Sequence, residues 1–220
     1  CTIIMVIIPP KWHYFMAEPL KLLFNKDFIS KLSENIAHIR KDFNRADFSA
    51  FIFDNTWENK ELKERMRHVS HGLHRALGDD YHANINTLKQ VVPQFHMELV
   101  SMIFPDYVEV YGQPHYDTSI DALECFTQYG SSEFAIRPFI VTDQDKTMAH
   151  MLQWAQHKNH HIRRLASEGC RPRLPWAIAL PQFKASPAPI LPILEQLKHD
   201  RELYVRKSVA NNLNDIAKDH

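Results

Sequence analysis

Apolar residues recur at helical spacing along the first half of the chain. One stripe consists of Phe28, Leu32, Ile36 and Ile39. Similar stripes follow within residues 62–73 and 85–92. A spacing of three or four residues places such side chains on one face of a helix, where they pack into a core. The pattern therefore predicts a series of helices from Leu20 to about Tyr107, with these stripes buried.

From Asp117 onward the pattern predicts helices in pairs. The predicted pairs are 118–129 with 131–140, 144–157 with 159–169, and 187–199 with 201–218. Ser131 or Ser132 is a suitable N-cap for the second helix of the first pair, and Glu133 would then lie in its positively polarised first turn.

The last two pairs repeat each other. Ile162-Arg163-Arg164 is echoed 43 residues later by Val205-Arg206-Lys207, and Trp154 is echoed by Leu197. A repeat of this length is typical of a solenoid of stacked helix pairs. We therefore predict an all-α solenoid. The second helices, which carry Arg137, Arg163 and Arg206, are expected to line its concave face.

Composition supports helices over strands. Five glycines in 220 residues are few for strands joined by tight turns. Six of the 13 prolines cluster between Pro172 and Pro192, where prolines end one helix or open the next. The three cysteines form no CxxC pair, which favours a reducing compartment.

The two ends of the chain differ from its body. The apolar start is too short to span a bilayer and lacks the features of a signal peptide. We therefore interpret residues 1–15 as an extension and assign one domain to residues 16–220. The chain stops directly after a helical run without a polar capping element, so we expect the natural protein to continue.

Charge is balanced overall but not along the chain. Residues 1–150 hold 15 Lys and Arg against 20 Asp and Glu, whereas residues 151–220 hold 11 against 6. The basic third of the chain indicates a polyanion-binding face, or else a chance drift of charge in a helical protein.

Four arginines lie close together within residues 161–176, with Glu168 as the only acid. They are Arg163, Arg164, Arg171 and Arg173. A guanidinium group binds phosphate oxygens through two parallel hydrogen bonds, so these arginines and Lys158 are candidate phosphate contacts. The alternative is structural pairing with Glu168 or Asp200.

The other candidate residues have structural alternatives of their own. Two histidine clusters, one at residues 68–74 and one at 157–161, match no metal-binding motif, so we predict no metal site. Trp176 could stack on a base or sugar, or lie in the core. Asp215 lies among asparagines, which are poor residues for a helix interior. Such a cluster indicates capping, a polar network or a functional site.

Three motifs together resemble the AlkC group of DNA alkylation-repair glycosylases, which belong to a superfamily of HEAT-like repeat proteins. The motifs are SSEFAIRPF, the Trp154 helix that leads to NHHIRRLASEGCRPRLPWA, and YVRKSVANNLNDIAKDH. The resemblance covers about residues 16–220. It implies a HEAT-like helical-repeat solenoid curved around duplex DNA.

The resemblance also implies an activity. Members of the group hydrolyse the N-glycosidic bond of cationic alkylated bases such as 3-methyladenine and 3-methylcytosine, without a deep base-flipping pocket. By motif, Glu133, Trp176 and Asp215 match the catalytic positions. The expected DNA contacts are Lys158, Arg163, Arg164, Arg171, Arg173 and Arg206. The expected protein is a monomer without a cofactor, in the bacterial cytoplasm at the nucleoid.

The chemistry of these residues fits that activity. Methylation at N3 makes the base a good leaving group, and the sugar then develops oxocarbenium character. Carboxylates stabilise that cation, and an indole face adds a cation–π contribution. The competing interpretation is a non-catalytic HEAT-like scaffold that binds nucleic acid or protein through the same groove. Convergence of Glu133, Trp176 and Asp215 would favour the enzyme.

Overall fold

The computed structural model describes residues 19–96 and 99–220, and every regular element within those ranges is helical. The α-helices are α1 Lys26–Ile39, α2 Arg45–Ile52, α3 Leu62–Leu77, α4 Tyr81–Val91, α5 Ile103–Tyr111, α6 Tyr116–Phe126, α7 Arg137–Thr142, α8 Gln144–Trp154, α9 His160–Gly169, α10 Pro181–Ala185, α11 Leu191–Leu197 and α12 Leu203–Ile216. Short 3-10 segments lie at Leu20–Leu23, Trp57–Asn59, Val92–Phe95 and Leu99–Met102. The predicted all-α fold is confirmed. The extension predicted for residues 1–15 lies outside the described residues.

Local sequence signals explain where the helices start. The side chain of Asn25 accepts a hydrogen bond from the backbone of Phe28 and so caps α1. At α3, Glu61 and Glu64 form a reciprocal capping box. Such caps satisfy backbone N–H groups that have no partner within the helix. The apolar stripes then face inward, and Leu32 and Ile36 of α1 are fully buried.

Helices pack on their neighbours in sequence, so one core runs along the molecule. Contacts join α1 to α2, α2 to α3, α5 to α6, α7 to α8 and α8 to α9. Helix α9 also packs extensively on α12, which itself contacts α11. This stacking is that of a helical-repeat fold. No helix within residues 19–96 and 99–220 has the length and apolar character required to cross a bilayer.

The 43-residue repeat has a physical counterpart in two equivalent arginines. Nη1 of Arg163 donates to the carbonyl oxygens five and six residues before it, both at 2.9 Å. Nη1 of Arg206 does the same, at 2.9 and 2.6 Å. Arg163 also binds the Asp200 carboxylate through Nε and Nη2, at 2.5 and 2.9 Å. We call Arg163, Asp200 and Arg206 the turn cluster, because they hold together the turns that precede α9 and α12.

Two expectations about the arginines and the helix of residues 131–140 are wrong. The helix begins only at Arg137, and residues 133–136 form a turn, so Glu133 does not lie in a first helical turn. Arg137 and Arg163 do not line an open concave face, because they are 0% and 6% exposed. Both side chains instead bind neighbouring segments of the fold.

Candidate active site

An irregular segment at residues 170–180 connects α9 to α10 and carries three of the predicted site residues. The buried side chain of Arg137 binds the backbone of this segment. Its guanidinium donates to the carbonyl oxygens of Gly169, Arg171 and Ile178 at 3.0, 2.8 and 2.5 Å. Burial lowers the pKa of Arg137 to about 10. Nζ of Lys63 on α3 donates to the carbonyl oxygen of Trp176 at 2.7 Å, so the segment is held from two sides.

Three carboxylates are joined by two arginines beside this segment. Arg164 lies between Glu133, with Nη1 to Oε2 at 3.1 Å, and Glu168, with Nη2 to Oε1 at 3.4 Å. Arg171 lies between Glu168, with Nη1 to Oε1 at 2.6 Å, and Asp215, with Nε to Oδ2 at 2.8 Å. We call these five residues the carboxylate network. It connects the turn before α7, helix α9, the irregular segment and helix α12.

The network is largely shielded from water. The side chains of Asp215, Glu168 and Glu133 are 3%, 6% and 17% exposed. Burial raises the pKa of Glu133 above its ordinary range, and the charge of Arg164 opposes that rise. Buried carboxylates need hydrogen-bonding partners, and here the guanidinium groups provide them.

A cavity of about 260 Å³ opens beside the network. It is lined by Met102, Glu133, Phe134, Glu168, Arg171, Leu174, Pro175 and Trp176. Trp176 is 46% exposed, so it is not a core tryptophan. Glu133 and Trp176 therefore meet at one cavity, and Asp215 is connected to it through Arg171.

The predicted phosphate contacts have different environments. Arg164 and Arg171 belong to the carboxylate network, and Arg173 binds Asp219, with Nη2 to Oδ1 at 2.6 Å. Lys158 is exposed and Arg206 is half-buried. Arg163 is buried against Asp200, so we assign it a structural role in place of the DNA contact predicted from the sequence. Each of the four arginines of residues 161–176 thus has a carboxylate partner within the protein.

Sequence reasoning missed two members of the site. Glu168 is one of them: the sequence indicates it only as a counter-charge, although it lies four residues after Arg164, a spacing at which side chains meet on a helix. Arg137 was expected on an open surface, and no local pattern indicates that it holds the segment at 170–180. The hydrogen bonds from Arg137 to this segment join residues that are 32 to 41 positions apart in the sequence, so they depend on how distant parts of the chain pack.

The histidine clusters are explained by packing contacts. His68 stacks on Phe51 with ring centroids 4.8 Å apart, and His74 stacks on Tyr111 at 3.9 Å. The rings of His160 and His161 lie 4.1 Å apart. Within the described ranges, no three His, Cys, Asp or Glu side chains are grouped as a metal site would require.

Comparison with known proteins places this geometry in context. No protein-family model matches the chain. The chain is 50% identical over 201 residues to the uncharacterized protein YhaZ of Bacillus subtilis, a match that covers 91% of this chain and 56% of YhaZ. Its fold matches a solved structure with a TM-score of 0.88 and 40% identity, over 92% of this chain and 56% of the other. That structure is the Pseudomonas fluorescens alkylpurine DNA glycosylase AlkC bound to DNA containing an abasic site analog.

The chain thus spans about half the length of YhaZ and of this AlkC protein. The resemblance to the AlkC group that the sequence motifs predicted is confirmed by the fold and by the identity.

Proposed function

We propose that this AlkC-like chain is a DNA glycosylase domain that hydrolyses the N-glycosidic bond of alkylated bases in duplex DNA. The observation that carries the proposal is the carboxylate network beside a cavity edged by the exposed indole of Trp176. The 40% identity to an alkylpurine DNA glycosylase supports the same function.

The charge of the network suits the reaction. As the base leaves, the sugar acquires positive charge, and a preorganised negative environment lowers the energy of that state. Three carboxylates share two arginines, so the network carries one excess negative charge when its acids are ionised. The arginines fix the carboxylates in place before the substrate arrives. Glu133 and Asp215 are the carboxylates that we assign to stabilising the sugar and positioning water.

Trp176 provides a second source of stabilisation. An indole face attracts a nearby cation, and the exposed ring at the cavity edge is available to a sugar or base. Its backbone is held by Lys63, and the segment that carries it is held by Arg137. The ring is therefore presented on a supported segment.

The proposed substrates are cationic bases, 3-methyladenine and 3-methylcytosine. Such bases carry a positive charge while still bonded to the sugar and depart as neutral molecules, so the reaction depends on stabilising the sugar cation more than on a proton donor. Stabilisation of a cation is what the excess negative charge provides. We assign DNA backbone contacts to Lys158, Arg173 and Arg206, and expect the domain to act as a monomer without a cofactor.

A base-release assay tests this proposal. Duplex oligonucleotides with a single 3-methyladenine, 3-methylcytosine or 7-methylguanine are incubated with the protein, and released base is quantified. We expect release of the first two by the wild-type protein and no detectable release by the Glu133→Gln/Asp215→Asn double variant. Asp121→Asn is the matched control, because Asp121 is exposed and pairs with Lys89 outside the network. Duplex binding without release of any of the three bases would instead support a non-catalytic scaffold.

A further inference from the structure

The carboxylate of Asp215 is held by two cations of unequal burial. Its Oδ2 accepts from Nε of Arg171 at 2.8 Å, and its Oδ1 accepts from Nζ of Lys218 at 2.9 Å. Both oxygens of the predicted catalytic acid are therefore occupied in the free protein. A carboxylate oxygen can accept a second hydrogen bond, but the two cations neutralise the negative charge that a reacting sugar would meet.

One of these two contacts is fixed and the other is easily broken. The Arg171 side chain is 14% exposed and also binds Glu168 at 2.6 Å, so its guanidinium is restrained from two sides. The Lys218 side chain is 58% exposed and pairs with an acid three residues before it. Lys218 is therefore the partner that can move, and Asp215 keeps its buried contact with Arg171 when the lysine leaves.

Charge balance shows what the release of Lys218 would do. The carboxylate network carries one excess negative charge when ionised, and the ammonium of Lys218 neutralises it. Removing that ammonium restores the excess negative charge next to the cavity. The charge of the carboxylate network is thus balanced in the free protein. When Lys218 is displaced, the network is negative and can stabilise a developing cation.

A DNA phosphate is the ligand that can displace Lys218. A lysine ammonium gains from contact with a phosphate oxygen, because counterions are released from the DNA. Lys218 lies in the turn after α12, and Arg173 of the irregular segment, 34% exposed, binds Asp219 of the same turn. A DNA backbone that reaches this turn would meet two cationic side chains next to Asp215.

We propose that Lys218 is a releasable counter-ion of Asp215 that moves to a DNA phosphate when substrate binds and thereby frees Oδ1 for the reacting sugar. This inference rests on the proposed glycosylase function. It couples engagement of the DNA backbone to exposure of the acid, so that the site becomes negative only when DNA occupies it.

The test separates binding from rate. Lys218→Ala is compared with wild type for affinity to undamaged and 3-methyladenine duplexes over a series of salt concentrations, and for single-turnover excision across DNA concentrations. We expect affinity to fall about three- to tenfold at low salt and the salt slope to drop by about one. The loss should fall on the half-saturating DNA concentration, not on the rate at saturation.

Lys198→Ala is the matched control, because Lys198 is an exposed lysine that pairs with Glu195 three residues before it, outside the carboxylate network. Lys198→Ala should change neither the affinity for DNA nor the salt slope. If Lys218 instead braces Asp215 throughout the reaction, Lys218→Ala would slow excision at saturation tenfold or more with affinity intact, which overturns the proposal. An unchanged salt slope also overturns it. The binding measurements use undamaged DNA as well, so they report on Lys218 even if the protein releases no base.

Discussion

Arginines meet carboxylates at both ends of the packed helices α9 and α12, but the balance of charge differs between the two ends. In the turn cluster at their N-terminal ends, Arg163 meets Asp200 and two carbonyl oxygens, so its charge is balanced within the fold. Towards their C-terminal ends, the carboxylate network places three acids against two arginines beside a cavity. Balanced buried pairs consolidate a fold, whereas a shielded cluster whose last negative charge is balanced only by the exposed Lys218 indicates a functional site.

Breaking the turn cluster should produce the largest effect, and the effect should be on stability. Arg163→Met leaves Asp200 buried without its partner, since the two side chains are 8% and 7% exposed. Loss of one partner of a buried ion pair costs about 3–5 kcal/mol. Urea unfolding should show this loss, and excision per folded molecule should be unchanged. Arg201→Met, at a side chain that is 76% exposed, is the control and should unfold as the wild type does. A large loss of activity in folded Arg163→Met would contradict the assignment of stability to the turn cluster and of catalysis to the carboxylate network.

Changing the carboxylate network should affect rate instead. Glu133→Gln keeps the shape of the side chain and removes its charge. Single-turnover excision should fall by roughly 10²–10³, the scale for loss of one preorganised electrostatic partner. Affinity for duplex DNA should hardly change, because the lost interaction belongs to the transition state. A fall in affinity that accounts for the whole loss of activity would show that Glu133 acts in binding.

Trp176 should show a smaller and mixed effect. Stacking of an aromatic ring on a base contributes about 1–3 kcal/mol. Trp176→Ala should therefore reduce both duplex affinity and the rate at saturation, each by about tenfold. Trp176→Phe retains a ring and should recover part of both. Equal activity of the alanine and phenylalanine variants would argue against stacking.

The pH dependence of excision should differ from that expected of an exposed carboxyl group. Burial raises the pKa of Glu133, with Arg164 opposing and Glu168 adding to the rise. If excision needs ionised Glu133, kcat/KM should decline on the acid side starting at a higher pH than an ordinary carboxyl would give, by about tenfold per pH unit. That acid limb should be absent from the residual activity of Glu133→Gln.

The same group should affect stability in the opposite direction. Because the pKa is raised by folding, the folded protein holds this proton more tightly than the unfolded chain does. Stability from this group is therefore lost as pH rises through the folded pKa. Melting curves over the same pH range should show this trend, and it should be weaker in Glu133→Gln.

Part of the structure is predictable from local signals in the sequence. The 43-residue echo predicted the equivalence of Arg163 and Arg206, and both make the same contacts to the turn before their helix. Periodicity gave the helices of the repeats, since α9 was expected at 159–169 and is found at His160–Gly169. These are local signals, and local signals are what a single sequence carries.

What the sequence did not reveal depends on distant contacts. Arg163 and Arg164 point in different directions because they are adjacent on a helix, but the helix alone does not show that one meets Asp200 and the other Glu133. Only the packing of α9 between other elements decides this. The turn at residues 133–136 was expected to be helical, because its residues suit a helix N-terminus. Helix α7 instead starts at Arg137, whose side chain donates to a carbonyl oxygen of the segment at 170–180.

Single-turnover excision by Asp215→Asn, with melting curves and duplex affinity measured on the same preparation, tests whether Asp215 is catalytic. The catalytic account predicts a rate lower by roughly 10²–10³ with affinity close to that of the wild type, because the buried carboxylate is assigned to the transition state. Full excision by the folded Asp215→Asn protein, together with a lower melting temperature, would show that Asp215 only braces α12 and would contradict the account.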